Sequence, residues 1–153
     1  MNYEQARAYA VNVSRSGSIL GLDSIENLMH ELGDIQERLK IIHIAGTNGK
    51  GSTGAYLERV LIEAGYRVGR YSSPAVFDPM EVWRINLQSM SHEEYADIME
   101  QVKCACDRMV EKGMEHPTIF EVETAMAFLY FYQKKCDYVL LEVGMGGRTD
   151  ATN

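Results

Sequence analysis

The sequence predicts an α/β fold in which a parallel sheet is flanked by helices. Two short apolar runs, 39–45 and 137–143, are rich in β-branched and aliphatic residues and are typical of strands buried on both faces. A glycine-rich loop at 46–51 follows the first run, and an amphipathic helix and a further strand at 66–72 follow the loop. This strand–loop–helix–strand unit favours a parallel sheet with a right-handed crossover.

Composition and charge exclude several classes of protein. The chain has 153 residues, of which 46% are hydrophobic and 24% charged, as in an ordinary globular domain rather than a disordered chain. The net charge of −7 argues against a general nucleic-acid binder but allows a small phosphate site. No apolar run approaches the roughly 20 residues that span a bilayer. The three cysteines form no CxxC pair and cannot all be paired, which indicates a reducing, cytoplasmic compartment.

Helical spacing of apolar residues predicts four further helices. The first lies near the N-terminus and the second ends at Gly33. Ser91 and Glu94 form a capping-box pattern ahead of the third, and the fourth spans about 120–133. One more strand is possible around 82–87. Because an α/β sheet should continue through another helix after the strand at 137–143, we expect the sequence to stop inside its domain.

The segment 46–53, GTNGKGST, has the composition of a phosphate-binding loop. Its glycines let the backbone approach phosphate closely, Lys50 supplies a positive charge, and the following helix adds its positive N-terminal dipole. Ile44 stands where the common Walker pattern has its first glycine, and the hydroxyls of Ser52 and Thr53 come one place late. The alternative is a glycine-rich turn between strand and helix without a ligand.

This loop and four other stretches resemble the folylpolyglutamate synthase and dihydrofolate synthase family, within the Mur-ligase superfamily. The loop alone would be shared with other Mur ligases, whereas the closing motif is much more particular to the folate enzymes. The resemblance runs over essentially the whole chain. The four further stretches are LGL at 20–22, YSSP at 71–74, FE at 120–121 and EVGMGGRTDATN at 142–153.

The resemblance implies a fold, an activity and cofactors. The chain would form the N-terminal part of a P-loop NTPase-like Mur-ligase central domain, whose remainder and whose C-terminal glutamate-ligase domain lie outside it. Family members use ATP and Mg²⁺ to join L-glutamate to the carboxylate of folate or dihydropteroate through an acyl phosphate. We therefore expect small-molecule substrates, no nucleic acid and no membrane as partners, and a monomeric cytoplasmic enzyme that the chain alone does not complete.

The resemblance also assigns roles to individual residues. It places Lys50 as the main charge on the triphosphate, with a catalytic role, and Ser73 and Glu142 as oxygen ligands of the metal ion. The nucleotide would be wrapped by Thr47, Asn48, Gly49, Lys50, Gly51 and Ser52. The pterin-bearing substrate would be met by Ser18, Leu20, Gly21, Leu22, Thr118, Phe120, Glu121 and Ala151.

For several of these residues, a purely structural role is the alternative. Glu142 could be a strand-end carboxylate paired with Arg148, and Phe120 could be a core residue at a helix start. Trp83 and Leu87 depart from the family pattern for the loop at 75–87, so whether that loop closes over substrate stays open. For Trp83 we expect packing rather than a substrate contact.

Two rival functions remain at this stage. One is another Mur-type ligase that acts on a cell-wall precursor, which shares Lys50 but predicts binding of a UDP-sugar. The other is a stand-alone P-loop module that binds nucleotide as a switch. None of the four histidines, His30, His43, His92 and His116, falls in a metal-ligand pattern.

Overall fold

The computed structural model describes residues 1–16, 23–44, 50–73, 75 and 77–142, without the side chains of residues 23 and 50–52. This part of the chain contains both helices and strands, as the sequence predicts. The helices are α1 (Tyr3–Arg15), α2 (Asp23–Glu31), α3 (Lys50–Glu63), α4 (His92–Glu111) and α5 (Ile119–Gln133). The strands are β1 (Ile41–Ile44), β2 (Val68–Tyr71), β3 (Trp83–Ile85), β4 (Gln88–Ser89) and β5 (Tyr138–Glu142). Short 3₁₀ turns cover Ile35–Arg38 and Pro79–Val82.

The described strands form one mixed sheet in the order β1-β5-β2-β3-β4. The strand pairs β1·β5 and β2·β5 are parallel, which confirms the predicted parallel sheet for its first three strands. The pairs β2·β3 and β3·β4 are antiparallel and extend the sheet at one side. The last strand in the sequence therefore lies between the first two, so the predicted strand–loop–helix–strand unit joins strands that are not neighbours.

Helices cover both faces of this sheet. Side chains alternate between the faces along a strand. In β5, Val139 and Leu141 belong to the large core beneath α1, α2, α4 and α5, whereas Leu140 belongs to a smaller core with Ile44 and Val68. The smaller core lies under α3, to which Leu57, Leu61 and Ile62 belong.

Two predicted burial patterns differ from the structure. β1 is not buried on both faces, because in the described part it pairs with β5 alone, and His43 is exposed. The apolar face predicted for α3 is also partly wrong: Val60 and Ala64 are exposed, while Glu58 faces the sheet at 1% exposure. An ion pair described below explains the burial of this carboxylate.

The predicted helix boundaries are largely confirmed. Ser91 and Glu94 form the capping box at the start of α4, with Ser91 accepting from the Glu94 N–H at 3.1 Å. Gly33, after α2, has φ of 91°, a left-handed conformation that glycine adopts without steric cost. No helix in the described ranges is long and apolar enough to cross a bilayer.

The helix α5 lies against β2 at the shortest approach that the chain allows. Ten of its fifteen residues are buried, as expected of a helix with neighbours on all sides. A Cβ atom built on Gly69 in β2 would lie 2.5 Å from Cδ1 of Phe131, which is far inside van der Waals contact. Gly69 therefore sets how closely α5 packs on the sheet.

We predict that Gly69→Ala lowers the free energy of unfolding by about 1–3 kcal/mol, the usual cost of overpacking a core. Urea unfolding of the variant measures this cost. The double variant Gly69→Ala/Phe131→Leu serves as the control, because a smaller side chain at 131 relieves the clash. Its loss of unfolding free energy should be smaller than the sum of the losses in the single variants Gly69→Ala and Phe131→Leu. A single Gly69→Ala variant as stable as wild type would contradict the close approach.

A two-residue turn joins β3 to β4 with both residues in the left-handed region. Asn86 has φ of 47° and Leu87 has φ of 72°. Asn86 suits this turn, since its N–H donates to the Val68 carbonyl and its Oδ1 accepts from the Val68 N–H. Leu87 does not, because turns of this kind favour Asn-Gly and a branched side chain is strained at positive φ. The sequence feature that departs from the family pattern is thus a site of backbone strain.

We expect Leu87→Gly to raise the free energy of unfolding by about 0.5–1 kcal/mol, because it removes that strain. Leu87 is 41% exposed, so little apolar burial is lost. Leu87→Ala is the matched control, since it removes the same exposed side chain but keeps the Cβ. Equal stabilities of the glycine and alanine variants in thermal or urea unfolding would show that Leu87 is not strained.

Candidate nucleotide and metal site

Three elements named by the sequence motifs meet at one edge of the sheet. The parallel strands β1, β5 and β2 have their carboxyl ends together, with Ile44 opposite Glu142 and Tyr71 opposite Leu141. The helix α3 follows β1 along the chain and begins at Lys50. The first N–H groups of a helix have no partner within it and carry a partial positive charge. This edge therefore combines a helix N-terminus with the ends of two neighbouring strands, where ligands bind in open α/β sheets.

Ser73 and Glu142, the predicted metal ligands, both belong to this edge. Ser73 lies two residues beyond the end of β2 and is half-buried, while Glu142 ends the adjacent strand β5 with its side chain 14% exposed. A hydroxyl and a carboxylate are hard oxygen donors of the kind that Mg²⁺ and Mn²⁺ prefer. The described residues contain no cluster of three or more His, Cys, Asp or Glu that could hold a metal by itself. Any ion here would need further ligands from outside the described residues, and water and substrate commonly supply them for Mg²⁺.

A buried ion-pair cluster lies directly below this edge. Arg70 of β2 donates through Nη1 to Oε1 of Glu58 at 3.0 Å and through Nη2 to Oε1 of Glu142 at 2.8 Å. Arg70 is 6% exposed and Glu58 only 1%. Burial alone would lower the pKa of Arg70, but the hydrogen bonds from Glu142 and Glu58 outweigh it and raise that pKa above its usual value. The guanidinium thus stays charged and ties α3 to the end of β5.

Glycine makes room for this cluster. A Cβ on Gly54 of α3 would lie 3.0 Å from both Arg70 Nη2 and Ile44 Cδ1. The absence of a side chain there lets α3 approach the sheet where the guanidinium lies. Glu58, one turn further along the same helix face, then reaches Arg70.

The structure shows a partner for Glu142 but leaves both its metal role and its pairing with Arg148 as predictions. Its partner among the described residues is Arg70 rather than Arg148, which lies outside them. Sequence reasoning missed both Arg70 and Glu58. The available signal was weak: Arg70 is a charged residue within an apolar strand, and Glu58 stands four residues after a glycine on α3.

The predicted substrate residues at the start of α5 divide into two kinds. Thr118 and Glu121 form a capping box, in which the Thr118 N–H donates to Glu121 Oε1 at 2.8 Å and Oγ1 accepts from the Glu121 N–H at 3.3 Å. Both are buried, and Oε2 of Glu121 has no hydrogen-bond partner among the described residues. Phe120 is 38% exposed, so it is not a core residue. Only the phenyl ring therefore offers an exposed face, and substrate contact by the three stays a prediction.

Trp83 packs in the core, as expected. It is 1% exposed, lies beside Tyr71 and Tyr95 at ring-centroid distances of 6.4 and 5.7 Å, and donates through Nε1 to the Glu123 carbonyl at 3.1 Å. This bond fixes the first turns of α5 against β3. It holds the indole ring inside the core.

The remaining predicted residues cannot be compared with the structure. Lys50, Gly51 and Ser52 begin α3, but their side chains are not described. The other predicted positions, Ser18, Leu20, Gly21, Leu22, Thr47, Asn48, Gly49 and Ala151, lie outside the described residues.

Glu123, one turn into α5, is a titratable group that the sequence did not single out. Desolvation by burial raises its pKa to about 7, although the charge of Arg7 on α1 acts in the opposite direction. The native protein therefore holds a proton on Glu123 at pH values where the unfolded chain, with a glutamate pKa near 4.5, has lost it. It follows that the free energy of unfolding falls as the pH rises from about 4.5 to 7.

We predict that Glu123→Gln, which mimics the protonated form, stabilises the protein at pH 8 by roughly 1–3 kcal/mol and changes little at pH 4.5. Urea unfolding at the two pH values measures the difference. The same substitution at the exposed Glu115 is the control and should leave the pH dependence as in wild type. A Glu123→Gln variant that keeps the wild-type pH profile would contradict the assignment.

Comparison with known proteins connects this site to one family. No protein-family model matches the chain. The dihydrofolate synthase/folylpolyglutamate synthase of Bacillus subtilis is 39% identical over 152 residues, which is 99% of this chain and 35% of that protein. A folylpolyglutamate synthase complex with AMPPCP and folate superimposes with a TM-score of 0.90 at 34% identity, over 100% of this chain and 38% of that one.

A bifunctional folylpolyglutamate synthase/dihydrofolate synthase with Mn, AMPPNP and L-glutamate bound superimposes with a TM-score of 0.84 at 37% identity, over 99% of this chain and 35% of that one. The chain thus spans about a third of the length of the relatives it matches. Both the sequence alignment and the structural superpositions extend over almost the whole of this chain. By both measures, the chain matches the N-terminal part of folylpolyglutamate synthases and dihydrofolate synthases over almost its whole length.

Proposed function

We propose that this chain supplies the phosphate-binding and metal-binding part of an ATP-dependent ligase that joins L-glutamate to the carboxylate of folate or dihydropteroate. The observation that carries the proposal is the convergence of α3, Ser73 and Glu142 at the carboxyl edge of the sheet. The complexes of similar proteins with AMPPCP and folate, and with Mn, AMPPNP and L-glutamate, support it. They also favour a folate substrate over a cell-wall precursor.

In the proposed ligase reaction, this part of the protein would position the reactants and supply charge. A carboxylate is a poor electrophile, so the γ-phosphoryl group of ATP is first transferred to it, and the glutamate amine then displaces phosphate from the acyl phosphate. Lys50 and the free N–H groups at the start of α3 would hold the phosphates in line with the substrate carboxylate. A divalent ion, for which we propose Mg²⁺, would neutralise developing charge between the phosphates when bound.

The residues present fit such an ion. Ser73 and Glu142 would each offer an oxygen, and Arg70 orients the carboxylate of Glu142 from below at 2.8 Å. The exposed ring of Phe120 would take the pterin or benzoyl ring of the substrate. The wrapping of the nucleotide by 47–52 and the further substrate contacts from 18–22 and Ala151 follow from the family resemblance. We also propose a cytoplasmic enzyme, since its three described cysteines are free thiols, and, from the family resemblance alone, a monomer.

Calorimetric titration of ATP with Mg²⁺ into the chain tests the phosphate site. We predict that Lys50→Ala weakens ATP binding at least about tenfold, because it removes a charge-assisted contact with phosphate. Arg59→Ala is the matched control, since Arg59 is an exposed cation on the same helix and its loss changes the net charge equally. ATP binding that survives Lys50→Ala would contradict the proposed role of the loop.

The ligase activity itself requires a second assay. ADP release should depend on the simultaneous presence of a pteroate or folate and L-glutamate, in a protein that carries this chain together with the rest of a family member's length. Stimulation by a UDP-sugar cell-wall precursor instead would overturn the folate assignment. ATP binding to this chain and ligation by the longer protein are separate results, so each can fail on its own.

A further inference from the structure

Among the described side chains, the ion-pair cluster beneath the carboxyl edge carries an unbalanced charge. With both carboxylates ionised, Glu58 and Glu142 surround the single guanidinium of Arg70, so the three side chains sum to −1. Glu58 is closed off at 1% exposure, whereas the side chain of Glu142 is 14% exposed at the carboxyl edge. The excess negative charge is therefore accessible from outside at Glu142, which is where a cation can offset it.

The guanidinium divides its two terminal nitrogens between the carboxylates. A guanidinium and a carboxylate pair most strongly through two parallel N–H···O bonds, with both nitrogens on one partner. Here Nη1 bonds Glu58 at 3.0 Å and Nη2 bonds Oε1 of Glu142 at 2.8 Å. Glu58 thus draws part of the guanidinium away from Glu142 and prevents the two-bond pairing that would neutralise it.

We propose that Glu58 is a positioning residue for the metal site, which acts through Arg70 and touches neither metal nor substrate. By holding Nη1 of Arg70, Glu58 keeps Glu142 oriented yet negatively charged toward the carboxyl edge. The charge of Glu58 also offsets that of Arg70, which would otherwise repel a cation at Glu142. This inference rests on the metal-binding role of Glu142 proposed above.

Binding of Mn²⁺ alone to the 153-residue chain, followed by electron paramagnetic resonance, tests the inference. We expect Glu58→Gln to weaken Mn²⁺ binding by roughly three- to thirtyfold, because the cluster then sums to zero and Arg70 turns toward Glu142. Glu31→Gln is the matched control. Glu31 is also a carboxylate bound by two basic side chains, Arg108 and Lys112, but it lies on α2 across the sheet from α3. The Glu31→Gln substitution changes the net charge by the same amount as Glu58→Gln and should leave Mn²⁺ binding as in wild type.

The double variant Glu58→Leu/Arg70→Met separates charge from structure. It replaces the inner ion pair by apolar side chains, an exchange that buried pairs often tolerate, and leaves Glu142 with its own charge. We expect it to bind Mn²⁺ at least as tightly as wild type. The unfolding midpoint of each variant is measured alongside its Mn²⁺ affinity. If the double variant does not fold, the comparison of Mn²⁺ affinity between Glu58→Gln and Glu31→Gln tests the inference.

The outcomes distinguish the two proposals. Wild-type Mn²⁺ affinity in Glu58→Gln, or a folded double variant as weak as Glu58→Gln, would overturn the role of Glu58 while the metal site stands. A wild-type chain that binds no Mn²⁺ would overturn the proposed metal site and this inference with it. Weakening by Glu58→Gln with recovery in the double variant supports both.

Discussion

The packing of α5 against β2 is the constraint on which most of this structure depends. Ten of the fifteen residues of α5 are buried, so the helix needs neighbours on every side. It finds them in the sheet, in α4, in α2 and in the turn before β1. The contact of Phe131 with Gly69 sets its distance from the sheet, and the bond from Trp83 to the Glu123 carbonyl sets its first turns. The position of the first turn of α5, which carries the exposed Phe120, follows from these two contacts rather than from local sequence.

Much of this architecture could be predicted from periodicity and turn chemistry. The apolar residues of α4 recur at helical spacing, and the capping box at Ser91 marks its start, so this helix follows from local sequence alone. The strand β5 could be predicted because a buried parallel strand reads as a continuous apolar run. The order β1-β5-β2 could not be obtained in the same way, since no pairwise signal in one sequence says that the last strand inserts between the first two.

Within the candidate site, some residues could be predicted from the sequence and others could not. The glycine-rich loop is visible in the sequence because phosphate binding demands particular residue types at fixed spacing, and the closing motif is visible only through the family resemblance. Glu58 and Arg70 obey no such pattern. A helical wheel of α3 places apolar Val60 and Ala64 on a plausible inner face, yet they are exposed and a carboxylate is buried instead. Burial of Glu58 is intelligible only once Arg70, twelve residues away on a different element, is known to lie opposite it.

The buried cluster of Glu58, Arg70 and Glu142 fixes the relative position of two elements of the candidate site. A buried ion pair contributes little net stability, because the desolvation of its charges offsets most of their attraction. Its effect is geometric: Arg70 reaches the helix that follows the phosphate loop with one nitrogen and the carboxylate at the end of β5 with the other. Any shift of α3 relative to β5 must break one of these bonds and leave a buried charge uncompensated, which costs several kcal/mol. The start of α3 and Glu142 are therefore held in one fixed relation, which the proposed phosphoryl transfer would require of the groups that position phosphate and metal.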